Sequence, residues 1–307
     1  MNSNAQCTAP VLLITFNRPD TTKVVFGKIR DAKPLKLYVA VDGPRKDKKA
    51  DKELVTEVRR IVQEVDWPCD VNYKFNEENA GAEITVSSAI SWVLEKEEYV
   101  IILEDDIIAP LSFFRFTEEM LIRYKDEPIV STVSGSNFTP ITVPNEADYF
   151  FAKYGHSWGW GTWRRAWKNY DLNIKIPDKH FKKTFLTEVC NSRAEINYYH
   201  KIFKNMQQKG PGNSTWDYVG LYRHRVNNLL SVIPRVNLTS NIGVHGLHAR
   251  GKTEHHFRPV DKDFIVNKHP GKVECYTVYD KHHFKNYINK KRPLLARFVR
   301  KAMRLLG

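Results

Sequence analysis

Tyr99-Val-Ile-Ile-Leu-Glu-Asp-Asp-Ile-Ile-Ala-Pro110 joins an almost wholly apolar run to three successive carboxylates. The run from Tyr99 to Leu103 reads as a strand buried on both faces, the mark of a parallel sheet covered by helices. Three adjacent acids repel one another, so their place at a strand end calls for a cation. A hard divalent ion, Mg²⁺ or Mn²⁺, held by one or two carboxylates with water and diphosphate oxygens completing its shell, suits that pattern; a solvated acidic turn is the other reading. Upstream, Val11 to Phe16, Leu37 to Val41 and Val71 to Phe75 read as further strands. Helical periodicity fills the gaps: Asp20 to Arg30 after Pro19, Lys48 to Val65, and Ile84 to Glu95. Such a β-α-β-α rhythm predicts an α/β fold with a mostly parallel, doubly wound sheet, whose ligand site lies beyond the carboxyl ends of the strands.

Downstream, Leu111 to Lys125 reads as a helix and Ile129 to Val133 as a strand, after which the rhythm lapses. From Ser134 to about Tyr170 the chain is rich in Gly, aromatic and small polar residues, which suits a binding surface better than a packed element. A helix is expected from about Phe185 to Gln208, another around Trp216 to His224, and a Gly/His-rich segment runs from Asn237 to His256. No internal repeat is present, and the second half is expected to complete the same globule.

The 307 residues are 42% hydrophobic and 27% charged, which excludes disordered, collagenous and disulfide-scaffold proteins. A net charge of +13 raises the question of a polyanionic partner. Nine Lys and Arg, and no acid, lie in residues 281–307, leaving +4 for the other 280. The excess therefore belongs to a tail, whereas nucleic-acid readers spread a basic face over the folded domain; no nucleic-acid partner is expected. Within that tail, Leu294, Leu295, Phe298, Val299, Ala302, Met303 and Leu306 recur at helical spacing, with Arg297, Arg300, Lys301 and Arg304 on the other face. This predicts a basic amphipathic C-terminal helix on an anionic membrane surface, or one docked on its own domain or a partner. Cys7, Cys69, Cys190 and Cys275 form no metal or disulfide pattern, which suits a reducing compartment. Neither a signal peptide nor a membrane span is expected, since the first apolar run, Val11 to Phe16, is too short for either. The resulting expectation is a cytoplasmic protein, peripheral on the inner face of the membrane.

Two further strand ends carry polar groups, Asn17-Arg18-Pro19-Asp20 and Asp42-Gly43-Pro44-Arg45. Arg at such a place can pair with phosphate and Asp can accept from a base imide or a ribose hydroxyl, although the same residues are ordinary turn formers.

Taken in order, Val11-Leu-Leu-Ile-Thr-Phe-Asn-Arg18, Val41-Asp42, Ile102-Leu-Glu-Asp-Asp106 with Ala109-Pro110 and Phe113-Phe114, Ser157-Trp-Gly-Trp160, Thr215-Trp-Asp217, Pro234-Arg-Val-Asn-Leu-Thr239 and Gly243-Val-His-Gly246 resemble the nucleotide-sugar glycosyltransferases of GT-A fold, and within them the N-acetylglucosaminyltransferase I-like group. The likeness spans roughly residues 10 to 250. It implies a metal-dependent, inverting hexosyltransferase that moves a sugar from a nucleoside-diphosphate donor, UDP in that group, to a hydroxyl of a glycan or lipid-linked glycan, as in polysaccharide biosynthesis. By the same resemblance Asp106 is the direct metal ligand, Glu104 and Asp105 contact donor sugar and ribose, and Arg18 and Asp42 hold the uridine end. Asp217 stands at the place of the catalytic base, and the acid that follows it in the group is Tyr218 here. Trp160 belongs to a glycine-containing loop, Trp158 to Trp163, near donor sugar and acceptor; Trp163 and Trp167 suit core packing equally well. His245 stands where a histidine of the group's flexible segment approaches diphosphate or metal, without the preceding Ser. The organisation expected is a nucleotide-sugar-binding half, 1–133, an irregular acceptor-binding half with the base, 134–280, and the basic tail, 281–307. Two other classes remain open: a sugar-phosphate nucleotidyltransferase, although Asn17 to Asp20 lacks the Gly-rich phosphate loop, and a non-catalytic basic module that binds membrane or nucleic acid.

Overall fold

The computed structural model describes residues 6–139, 146–209, 215–244 and 256–289. Four parallel strands, β1 (Val11–Thr15), β2 (Lys36–Val41), β3 (Asp70–Phe75) and β4 (Tyr99–Glu104), are linked by α1 (Pro19–Ala32), α2 (Lys49–Val62) and α3 (Ala82–Leu94). All five residues of β1 are buried. Val11 and Leu13 face a core shared with α1, α2 and α4 (Leu111–Arg123), while Leu12 and Ile14 face one shared with α3. Apolar side chains on both faces are what allow a strand to sit in the middle of a helix-covered sheet.

Beyond the two-residue strand β5 (Ile107–Ile108) and α4, four more strands join the same sheet: β6 (Val130–Ser134), β7 (Tyr149–Ala152), β8 (Trp160–Trp163) and β9 (Leu230–Pro234). The order across it is β3-β2-β1-β4-β8-β6-β9-β7. β8 runs antiparallel between β4 and β6, β9 is parallel to β6, and β7 is antiparallel to β9. Six of the eight strands thus point one way. This is the α/β class and the mostly parallel, doubly covered sheet that the sequence rhythm predicts, a Rossmann-like arrangement of the GT-A kind.

Two expectations need correction. The aromatic stretch from Ser134 to Tyr170 is not an unpacked surface, because Tyr149–Ala152 and Trp160–Trp163 are fully buried strands. Trp160 to Trp163 is accordingly a strand rather than a loop, and Trp163 is a core residue whose indole N–H donates to the Leu121 carbonyl, 2.9 Å. The helix expected from Phe185 to Gln208 is two, α6 (Lys183–Val189) and α7 (Arg193–Lys209). Ser192 Oγ accepts from the amide of Glu195, and Glu195 reaches back to the amide of Asn191, 2.6 Å, a reciprocal cap that starts α7 afresh. Glu195 is also held by Tyr154 and pairs with Arg225 at 3.1 Å, inside the second-half core of α6, α7, α8 (Trp216–Val226) and α9 (Thr277–His283). The first tail residues complete α9 and extend it by a further turn, Phe284–Ile288, with His283 and Phe284 buried; the amphipathic helix expected from Leu294 to Leu306 lies outside the described residues.

One turn positions the edge of β8. Gly159 has φ +70°, a left-handed backbone that favours glycine, and a Cβ there would meet Thr239 Cγ2 at 2.7 Å. Gly159→Ala is expected to cost about 2 kcal/mol through strain and collision, read as a lower urea midpoint with an unchanged m-value; an unchanged midpoint would contradict this account.

Candidate active site

Strand register collects the sequence motifs on one edge of the sheet. Ile14 of β1 lies opposite Glu104 of β4, Thr15 opposite Val41, and Trp160, the first residue of reversed β8, opposite both Ile102 and Ser134. Arg18, Asp42, the acidic triplet and Trp160 therefore leave the sheet along the same border, as expected for a doubly wound sheet.

Arg18 caps α1 just ahead of Pro19, and its guanidinium spans the triplet. One N–H pairs with Asp105 Oδ1, Nε donates to Asp105 Oδ2 at 3.3 Å, and Nη1 reaches Asp106 Oδ2 at 2.9 Å. Burial works against its charge, but Asp105 and Asp106 hold Arg18 well above its ordinary value. It is thus engaged by two carboxylates of the triplet. One cation does not balance three acids. Burial, then the charges of Asp106, Asp105 and Asp217, push Glu104 up to about 8, and burial lifts Asp105 to about 6 in spite of Arg18. The short strand β10 (Ser240–Asn241) pairs antiparallel with β5, the amide of Ile242 donates to the Asp106 carbonyl at 2.9 Å, and Gly243 is pressed against the Asp106 carboxylate where any Cβ would collide.

Asp42 is held by neighbours of its own. Its buried carboxylate accepts from the side chains of Asn76 (3.0 Å) and Asn79 (2.8 Å) and from the amides of Gly43, Ala80 and Gly81. With five donors on it, Asp42 anchors the loop after β3. Arg45 is tied to Asp51 by Nε at 2.6 Å, with Asn17 donating to the same carboxylate at 2.8 Å; the Arg45 guanidinium holds Asp51 down at about 2. His245 lies outside the described residues.

Asp217 is exposed in the first turn of α8, where the helix N-terminus favours a carboxylate, and its Oδ1 accepts from the Tyr218 amide at 3.0 Å. Its charge is felt at Glu104. Beside it opens a cavity of about 330 Å³ walled by a closed aromatic circuit. Trp216 stacks on Trp160 (centroids 5.9 Å, 16°), Trp160 leans on Trp167 (6.4 Å), Trp167 stacks on Tyr170 (3.9 Å, 7°), and Tyr170 Oη donates to the Trp216 carbonyl, 2.7 Å. Trp160 is only 6% exposed, and its indole N–H has no acceptor. Gly243 and Tyr170 are site residues beyond those expected; Tyr170 ends the aromatic stretch that drew notice in the sequence.

Among the described residues no three His, Cys, Asp or Glu side chains form a ready-made metal cage. The triplet nevertheless fits Mg²⁺ or Mn²⁺, which takes one or two hard carboxylate oxygens and fills its shell with water and phosphate; the glycine at 243 adds no side chain of its own to the Asp106 carboxylate, which Arg18 engages.

No protein-family model and no curated protein sequence matches the chain. Among solved structures it is similar to the apo form of mouse xyloside xylosyltransferase 1 (12% identity over 72% of this chain and 83% of that one, TM-score 0.38). It is also similar to the mannosyltransferase PcManGT of Pyrobaculum calidifontis in complex with GDP-Man and Mn²⁺ (14%, 73% and 72%, 0.36). A third is the 4-diphosphocytidyl-2C-methyl-D-erythritol synthase of Anaerococcus prevotii (12%, 64% and 96%, 0.34). These neighbours are glycosyltransferases and a nucleotidyltransferase; at such identities and scores the likeness decides nothing about chemistry.

The raised carboxyls have a consequence for stability. Between about pH 4.5 and 8 the unfolded chain has already released protons that the folded chain still holds at Glu104 and Asp105, so folding stability contributed by the pair falls as pH rises. A divalent cation would replace those protons. The rise in melting temperature caused by Mn²⁺ is therefore expected to be larger at about pH 8 than at about pH 5.5, and an equal rise at both would refute cation binding at the triplet.

Proposed function

We propose that the protein is a metal-dependent, inverting glycosyltransferase, transferring a hexose from a nucleoside-diphosphate donor, UDP in our reading, to a hydroxyl of a glycan or lipid-linked glycan. The observation that carries this is the stack of Trp160, which lies opposite Ile102 at the acidic end of β4, on Trp216, which sets Asp217 in the lining of the aromatic cavity. A displacement at an anomeric carbon needs three things in one cleft: a base for the incoming hydroxyl, a platform for a sugar, and compensation for the charge of the departing diphosphate. Asp217 is the exposed carboxylate suited to take the proton from the acceptor hydroxyl. Trp160 and Trp216 offer flat apolar walls to sugar C–H faces and exclude water. Asp106 would hold Mg²⁺ or Mn²⁺, with Glu104 and Asp105 toward the donor sugar and ribose, and the ion would neutralise charge building on the leaving diphosphate. Arg18 keeps Asp105 and Asp106 oriented. His245 remains a candidate diphosphate contact.

Asp217→Asn is expected to lower transfer by about 10²–10⁴-fold while preserving Mn²⁺-dependent donor binding. Asp106→Ala should instead lose that binding, measured calorimetrically with a UDP-sugar. Turnover by the first variant, or unchanged affinity in the second, would overturn the assigned role. Release of UDP marks glycosyl transfer; release of pyrophosphate from a sugar phosphate and NTP would mark the nucleotidyltransferase alternative.

For the tail, the proposed partner is the anionic inner face of the membrane. Deleting residues 293–307 should weaken sedimentation with phosphatidylglycerol-containing liposomes and spare transfer to a soluble acceptor; undiminished sedimentation would exclude the tail as anchor.

A further inference from the structure

Tyr170 lines two hollows. One is the aromatic cavity beside Asp217, and the other is an open groove of about 470 Å³ between α3 and the segment after Tyr170. Half-buried Trp92 lies in the groove with Ser87, Ser88, Glu95 and Asn173, its ring edge-to-face with Tyr38 (5.2 Å) and approached by Lys96 Nζ (5.4 Å), while the groove's Lys74 donates to the Ser88 carbonyl at 3.3 Å. An indole among hydroxyl, carboxylate and amide groups is the chemistry that grips a sugar, with apolar C–H groups against the ring and hydroxyls hydrogen-bonded at its edge. The two hollows share more than a border: Trp167, stacked on Tyr170, donates its indole N–H to Ser91 Oγ of the groove at 2.9 Å.

The cavity sets the size and charge of what enters it. At about 330 Å³ it sits at the small end of ligand pockets (~300–1,000 Å³), so a longer acceptor must continue outside. Its wall holds an indole N–H, that of Trp160, lacking an acceptor although the residue is 94% buried, which asks for a ligand oxygen. Its cations are occupied. Lys153 Nζ donates to Asn228 Oδ1 (2.9 Å) and the Val189 carbonyl (3.3 Å), and Arg223 donates to the carbonyls of Ala166 (3.2 Å) and Lys168 (2.7 Å). Burial and the Arg225 charge hold His224 down at about 3, hence neutral. Among the described residues of the lining Asp217 is the sole carboxylate, and it repels an anionic ring.

Resting on the glycosyltransferase reading, we propose that the acceptor is a neutral oligosaccharide of at least two sugars. Its reacting ring lies in the cavity against Trp160 and Trp216, the chain passes Tyr170, and the next ring lies on Trp92 in the groove. The acceptor length is thus read by α3, an element of the donor-side half of the chain.

The test uses the full-length protein with methyl glycosides of glucose, galactose, mannose and N-acetylglucosamine, the neutral disaccharides that extend each, and methyl glucuronide, with affinities from saturation-transfer NMR titrations. UDP release from UDP-sugars with Mn²⁺ is followed in parallel. At least one disaccharide should bind about tenfold more tightly than its methyl glycoside. Trp92→Ala should erase that gain while the methyl glycoside still binds, which also shows that the variant is folded, and Trp92→Phe should restore part of it. Trp160→Phe, lacking the indole N–H, should weaken both ligands by a similar factor. The proposal fails if Trp92→Ala leaves the disaccharide advantage intact, if methyl glucuronide is preferred, or if no sugar of the panel binds. UDP release that persists in any of those cases leaves the glycosyltransferase reading standing, whereas its absence from every donor removes both.

Discussion

The constraint on which the site depends is electrostatic: three consecutive carboxylates at the end of a buried strand, met by one guanidinium. Arg18 can reach them because β1 and β4 are hydrogen-bonded neighbours, so the loop leaving one strand overhangs the end of the other. Pro19 restricts the residue before it and presets the first turn of α1, which limits where the guanidinium can go. Even so the charges do not cancel, and the cation-free cluster holds protons at Glu104 and Asp105 at pH values where a solvated carboxylate would have none. A cluster of this kind is stable but unsatisfied. Its surplus charge is a standing bias toward a hard cation, and Gly243, seated on Asp106, ties that bias to the strand pair β5–β10 and so to the second half of the chain.

Strand direction explains how the second half reaches the same edge. In a sheet whose other central strands deliver their carboxyl ends to the cleft, only a reversed strand can deliver its amino end, and β8 does so with Trp160. That single indole then recruits α8 through its stack on Trp216, which brings Asp217 and the favourable N-terminal end of the helix to the cleft. Without the reversal, Trp160 would lie at the far edge and the aromatic circuit could not close.

The first four strands and three helices were legible because both-face burial and 3.6-residue periodicity are local properties; β1 and β4 ended within a residue of where their apolar runs stop. β7, β8 and β9 were not, for a physical reason. They are four or five residues long, each pairs antiparallel with a partner distant in sequence, and Trp-Gly-Thr-Trp has no alternation to read. The break between α6 and α7 did carry a readable signal, the Ser192-Arg-Ala-Glu195 capping box, which the surrounding periodicity obscured. Among site residues, the convergence of Arg18, Glu104, Asp105, Asp106 and Trp160 on one edge follows from reading strand ends. Asp42 shows what that reading leaves out: a carboxylate at a strand end looks the same in sequence whether or not it also anchors, as here, five donors of its own loop and neighbouring turn. Trp92 was hidden differently, because within a helix a tryptophan that lines a groove has the same periodicity as one that fills a core.

The disposition of positive charge completes the physical argument. Each cation named in the cleft is already committed: Arg18 to Asp105 and Asp106, Arg45 to Asp51, Lys153 and Arg223 to carbonyls and an amide oxygen. A cleft that binds a diphosphate usually spends arginines on it, but this one offers acids. Acids and a diphosphate can share a site only through an intervening cation, so under the proposed reading an acidic cleft is itself the reason to expect a divalent ion. The same commitment of Lys153 and Arg223 leaves the adjoining cavity with aromatic walls, a donor N–H and one carboxylate, an environment that favours an uncharged, hydroxylated ring. The two halves of the cleft thus differ in charge character, one acidic and one aromatic and nearly uncharged, and the cations named in them lie outside residues 281–307.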